Sequence, residues 1–231
     1  MLSYKKMKIE YFETRANIEL PEITKELIDL VKDKSIAIFS TVQFLEQRDN
    51  LATKLLKYCK IVNIKLAHCT YPDQILGCSS FDSEIIEKPE LFLYLGDGVF
   101  HPKSLLLNEI ADEVYCLPPI NLSIKKITRE DVKSLLNKKK VALTNFLSSK
   151  NIGVLITLKP GQNNLNKAIE LKNSEKYKDK NFYLFLDDTI NFAELENFNF
   201  IDCWVNTACP RIAYDDSIKI TKGIINLQDI I

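Results

Sequence analysis

The stretch that decides the fold runs from Ile152 to Asn164, "IGVLITLKPGQNN". Its first six residues form an apolar run bounded by a polar turn. That reads as a strand covered on both faces, the habit of parallel sheets. Pro160 and Gly161 punctuate the turn, and residues 165–176 then carry a helical pattern. Downstream the order repeats, with "FYLFLD" (182–187) as a strand, a short helix near 192–197, and "IDCWV" (201–205) as a further strand. Alternating strands and helices predict a parallel sheet flanked by helices.

The upstream half reads the same way. Residues 21–33 predict a helix with Pro21 at its first position. "SIAIFS" (35–40) predicts a strand, residues 44–58 a helix, and "KIVNIKL" (60–66), "LFLYL" (91–95) and "VYCLPP" (114–119) further strands. A helix is expected over 101–113 and another from Thr128 to Ser149, with Thr128 and Asp131 resembling a capping box. The fold class is therefore α/β, with two related domains, 1–123 and 124–231, each a small parallel sheet flanked by helices. In each half a first strand ends in a loop bearing a glutamine, Gln43 in "STVQ" and Gln162 in "LKPGQ".

Lys and Arg total 31, as do Asp and Glu, so the formal net charge is zero. A nucleic-acid reader usually carries a basic excess, so no direct nucleic-acid partner is expected. The first residues show no secretory leader pattern, and no apolar run approaches bilayer length. The expectation is a cytoplasmic chain with no membrane contact and reduced thiols. None of the six cysteines forms a CxxC pair, which excludes the usual zinc-ribbon spacing. Cys59, Cys116 and Cys203 sit in helix- or strand-like runs and read as small buried hydrophobes.

Ligands of open α/β sheets bind beyond the carboxyl ends of the strands, and four loops expected there carry unusual residues. "QILGCSS" holds Cys78, within a long irregular stretch, 67–84. "GDGVFHP" holds Gly96, Asp97, Gly98 and His101. "KPGQ" holds Gly161 and Gln162, and "NTACPR" holds Cys209 and Arg211. Neither glycine loop matches GxGxxG or the Gly-Lys-Ser/Thr ending of a phosphate loop. His68 reads as structural, and His101 as either a helix-start residue or a functional one. Cys78 and Cys209 are loop cysteines beside Gly or Pro, one per half. Soft thiolates far apart in sequence but meeting at strand ends suit iron–sulfur ligation.

Taken in order, "YFETR" (11–15), "STVQ", "ILGCSS", "YLGDGVFHP", "LKPGQ" and "FIDCWVNTACPRIAYDD" (200–216) resemble the diphthamide-biosynthesis family of 3-amino-3-carboxypropyl transferases. The resemblance implies a radical S-adenosylmethionine enzyme with a 4Fe-4S cluster, acting on a histidine of translation elongation factor 2. It implies Cys78 and Cys209 as cluster ligands from the middle and last of three related domains. It also implies a cofactor pocket lined by Gln43, Gly96, Asp97, Gly98, Gly161 and Gln162, and a dimeric assembly. Arg211 either stabilises cluster or substrate charge or pairs with Asp215 or Asp216. The family's first domain, with its own cysteine, has no match here, so a separate chain carrying that domain is the expected partner. Two other readings stay open: a non-catalytic partner subunit of a complete family member, and a small-molecule-binding α/β protein whose glycine loops hold a nucleotide.

Overall fold

Thr24, rather than Pro21, starts the first helix. Its hydroxyl accepts a hydrogen bond from Leu27 N at 3.2 Å, and helix α1 runs Lys25–Val31. A side-chain acceptor for a first-turn N–H is the stronger start signal here. The computed structural model describes residues 10, 12–67, 69–77, 87–159, 161–216 and 220–230.

By contact the chain divides into two units, Met1–Glu130 and Asp131–Ile231. The first continues with strand β1 (Ser35–Ser40), a 3-10 turn (Val42–Phe44), helix α2 (Leu45–Leu55), and strands β2 (Lys60–Ile61) and β3 (Leu91–Leu95). Helix α3 (Lys103–Leu107) and strands β4 (Glu113–Leu117) and β5 (Lys125–Thr128) complete it. The sheet order is β2-β1-β3-β4-β5, with only β5 antiparallel to its neighbour. Leu27 and Val31 of α1 and Leu51 and Leu55 of α2 bury Ile36, Ile38, Leu91 and Leu93 on one face.

The second unit contains helix α4 (Lys133–Ser148), strand β6 (Asn151–Thr157), helix α5 (Leu165–Lys172) and strand β7 (Asn181–Asp187). Helix α6 (Phe192–Leu195), strand β8 (Cys203–Asn206), helix α7 (Arg211–Asp215) and strand β9 (Gly223–Asn226) follow. All four strands are parallel in the order β7-β6-β8-β9. Ile152, Val154 and Ile156 pack toward Phe146 on one face, and Leu155 and Trp204 pack with Ala213 and Ile224 on the other. Gly153 is required beneath Trp204, because a Cβ there would lie 2.2 Å from the indole ring.

Several sequence expectations are corrected. The strand expected over 60–66 stops at Ile61, because residues 73–75 take over the edge of β1. Ser40 N donates to Asp73 O at 3.0 Å, and Ile75 N donates to Ser40 O at 2.8 Å. The helix expected over 101–113 shrinks to five residues, and Glu113 already belongs to β4. Thr128 does not directly precede α4. It ends β5, a 3-10 turn (Arg129–Val132) follows, and α4 starts without a side-chain cap. Pairing of β5 with β4 keeps residues 125–128 in the first unit's sheet. The helix expected over 165–176 ends at Lys172, and a 3-10 turn holds Glu175–Tyr177. Strands β5 and β9 were not anticipated.

Candidate functional site

In the second unit the site grows from the carboxyl end of β8. Asn206 closes that strand and Asn226 stands beside it on β9, each only 1% exposed. Asn206 Nδ2 donates to Asn226 Oδ1 at 2.8 Å and to Cys209 O at 2.9 Å, and Asn206 Oδ1 accepts from Ala208 N at 3.1 Å. Asn226 Nδ2 donates to Pro210 O at 3.0 Å. Two neutral amides thus fix the turn on both sides of Cys209, satisfying backbone groups that would otherwise be buried unpaired. Pro210 sits at the N-cap of α7, and Ile212 N donates to Cys209 O at 3.0 Å. The Cys209 thiol is half-buried and free of any disulfide. Arg211 pairs with Asp215 at 2.5 Å, the structural alternative of the two read from sequence.

The loop after β6 lies against this turn. Asn164 Nδ2 donates to Thr207 O at 2.7 Å, and Thr207 Oγ1 donates to Leu155 O at 2.9 Å. Gly161 has φ +78°, and an added Cβ would meet nothing within 4 Å. Bare backbone therefore faces open space there, in a conformation glycine tolerates best. Gln162 donates its N–H to Lys159 O at 3.1 Å and leaves its side chain exposed.

In the first unit, Gln43 lies on the turn after β1 with its side chain exposed, while its carbonyl accepts from Ala16 N at 2.8 Å. After β3, Gly96 donates its N–H to Leu117 O at 3.1 Å, and a Cβ there would fall 2.5 Å from Tyr94 Oη. Gly96 is thus fixed by packing on Tyr94. Asp97 is exposed, and Gly98, at φ +67°, faces open space as Gly161 does. His101 precedes α3. Its ring lies edge-on to Phe100, 5.1 Å between centroids, and its carbonyl accepts from Ser104 Oγ at 2.8 Å. Burial raises the Tyr94 phenol well above its usual range, with Cys116 and Asp97 adding to the effect.

Cys78 lies outside the described residues, as do His68, Pro160 and Tyr11. The approach to Cys78 is described. The segment 73–77 runs beside the carboxyl end of β1 and reaches Gly77, where an added Cβ would lie 2.3 Å from the Phe100 ring. Asp73, at φ +56°, anchors the segment. Its carboxylate accepts from Ile64 N at 2.6 Å and from Arg48 Nη1 at 3.1 Å. Sequence reasoning missed this anchor and the Asn164, Asn206 and Asn226 scaffold. A polar amide closing an apolar strand, "CWVN" and again "GIIN", was the available signal.

The donor chemistry separates the cysteines. Burial pushes the Cys116 thiol up to about 11 and the Cys203 thiol up to about 12, and raises that of Cys59. These remain protonated packing groups, whereas a metal ligand must be a thiolate. Cys209, on a fixed loop at a strand end, fits the donor set of an iron–sulfur cluster. Among the described residues, no three His, Cys, Asp or Glu side chains gather as a metal site. No helix among them is long and apolar enough to cross a membrane.

Two mostly parallel α/β units with special loops beyond their strand ends are the class that these features define. The chain belongs to the diphthamide synthesis family: residues 1–230 match the family described as "Putative diphthamide synthesis protein". It is 30% identical over 207 residues to 2-(3-amino-3-carboxypropyl)histidine synthase subunit 1 of Caenorhabditis elegans, covering 86% of this chain and 51% of that protein. To the 2-(3-amino-3-carboxypropyl)histidine synthase of Methanocaldococcus jannaschii it is 27% identical, covering 94% of this chain and 64% of that one. The crystal structure of Dph2 from Pyrococcus horikoshii with a 4Fe-4S cluster has the same fold. It superposes with a TM-score of 0.68 at 22% identity, covering 85% of this chain and 56% of that chain. This chain therefore spans between about half and two thirds of the length of these relatives.

Proposed function

We propose that this chain provides two cysteine-bearing units of a 2-(3-amino-3-carboxypropyl)histidine synthase, the enzyme that starts diphthamide formation on translation elongation factor 2. In this reading Cys78 and Cys209 are two of the ligands of a 4Fe-4S cluster. The protein works in the cytoplasm as part of that synthase. The cluster, when bound, supplies the one-electron reduction that breaks the bond from the sulfonium of S-adenosylmethionine to its γ-carbon.

The observation that carries the reading is the Cys209 turn: a half-buried thiol whose flanking backbone is held by two buried amides at a strand end. A rigid loop holds a ligand without ordering cost at the moment of binding. Gly98 and Gly161 bring bare backbone to the same ends of their sheets, which suits close approach by the cofactor's carboxylate. Gln43 and Gln162 offer exposed amides for its amino-acid or ribose groups. Asp97 can accept from its ammonium, and Gly96 holds the loop in place over Tyr94.

The test is anaerobic purification from the native source, with identification of co-purifying chains and measurement of iron. The purified assembly is then given a reductant, S-adenosylmethionine and elongation factor 2. The expected result is one aminocarboxypropyl group on a histidine of the factor. Iron-free material with full transfer activity would overturn the proposal.

A further inference from the structure

Strand β4 ends at Leu117, and residues 118–124 carry the chain over to the antiparallel β5. This turn is built to be stiff. Pro119 follows Pro118 at the position where a fixed φ favours a tight turn. Asn121 N and Leu122 N both donate to Pro118 O, at 3.3 Å and 2.9 Å. Asn121 Oδ1 accepts from Ser123 N at 3.0 Å. Leu122 closes the turn at φ +51°, a left-handed conformation that a leucine adopts only under constraint. Burial supplies the constraint, because Leu122 is fully buried in the core that holds Leu27, Leu93 and Leu117.

The side chain that this stiff turn displays is Ile120, 82% exposed. Single exposed apolar side chains are common, but the setting of this one is not. Backbone strain of the kind held at Leu122 collects at binding and catalytic sites. The turn also abuts the loop after β3, where Gly96 N donates to Leu117 O at 3.1 Å. That loop turns the Gly98 backbone to open space and displays Phe100, 44% exposed. Two apolar side chains therefore stand on neighbouring strand-end loops, beside the bare backbone given above to the cofactor.

We propose that Ile120 is an anchor for the protein substrate, seating in an apolar hollow beside the histidine that is to be modified. The proposal rests on the function proposed above. A histidine carried on a folded protein reaches a strand-end pocket only if the surface around it settles on the rim of that pocket. Binding energy from such remote contacts holds the reacting atom in place. An apolar anchor on stiff backbone loses little freedom on binding, which is what makes a contact of this type strong. Ile120 is no part of the cluster or cofactor set, so it serves recognition rather than chemistry.

The experiment measures binding of elongation factor 2 to the assembly purified from the native source, without reductant or S-adenosylmethionine, and then transfer kinetics. Ile120→Asp should weaken binding by about 10- to 100-fold, the ratio expected when one buried aliphatic anchor is lost. KM for the factor should rise by a similar ratio, with kcat, the KM for S-adenosylmethionine and the thermal melt unchanged. Ile120→Leu keeps the anchor apolar and should keep most of the affinity. Leu56→Asp, at an exposed leucine beside Ser35 at the opposite end of β1, should leave binding as it is. Should Ile120→Asp lower the melt, Ile120→Ala should show the same loss of affinity in a smaller amount. Unchanged affinity and KM in the Ile120 variants would overturn the proposal and leave the proposed function standing. So would a fall in kcat alone, or release of another chain from the assembly, either of which would give Ile120 a different role. A wild-type assembly that neither binds nor modifies the factor would overturn both.

Discussion

The two units hold their strand-end segments by different chemistry. In the second, the Cys209 turn hangs on Asn206 and Asn226, neutral amides that cannot titrate. In the first, the segment leading to Cys78 hangs on Asp73, a buried carboxylate facing Arg48. Burial pushes Asp73 up to about 6, although the Ile64 amide and Arg48 both pull it down. Equivalent positions in one architecture thus carry opposite sensitivities: one anchor depends on pH and the other does not.

The largest expected effect is on the neutral anchor. Asn206→Leu leaves the Ala208 amide and Asn226 Oδ1 without their partner and removes one of the two donors to Cys209 O, which keeps Ile212 N. At the usual cost of buried unsatisfied groups this is about 3 kcal/mol. Trp204, the only tryptophan and fully buried beside this turn, reports the second unit's unfolding by fluorescence in urea. Loss confined to the Trp204 transition sharpens the comparison. A loss below about 1 kcal/mol would break it.

Next is the titrating anchor. The folded-state pKa of Asp73 is raised, so the stability it confers is fully present below about pH 4. It is lost as pH rises through about 6. The change is on the order of 3 kcal/mol across that window. Hydrogen exchange of β1 amides such as Ile38 and Phe39 should show it, and Asp73→Asn should flatten the profile. The Trp204 transition should keep the same profile in both proteins. An unaltered pH profile in the variant would remove the asymmetry.

Smaller effects follow at the loops. Gly161→Val places a β-branched residue at φ +78° with open space around it. The expected cost is about 1–2 kcal/mol of backbone strain, and S-adenosylmethionine binding to the native assembly should weaken, as read by anaerobic calorimetry. Unchanged affinity would make the loop structural. Asp215→Asn breaks the pair with Arg211, whose carboxylate side is well exposed. A shift of no more than about 0.5 kcal/mol is expected in a thermal melt.

The alternation of strands and helices was legible because β1, β3, β6 and β8 are buried on both faces and read as apolar runs. Strand β5, "KKIT", was not, because an edge strand exposes its lysines and carries no run. Strand β9, "GIIN", is too short to stand out without its neighbour. The truncation of β2 depends on residues 73–75 docking beside Ser40, a contact that no local pattern encodes. At the site, Cys209, Gly161 and Gly98 were legible as loop punctuation. Asn206 and Asn226 were not, since their meaning lies in facing each other across a parallel ladder.

The central claim is that Cys209 is a cluster ligand while the buried cysteines are packing. The direct test is iron content and iron–sulfur absorbance of the assembly purified anaerobically from the native source, as wild type, Cys209→Ala, Cys78→Ala and Cys203→Ala. The account predicts loss of iron in the Cys209 and Cys78 variants and retention in the Cys203 variant. Full iron and unchanged absorbance in Cys209→Ala would contradict it.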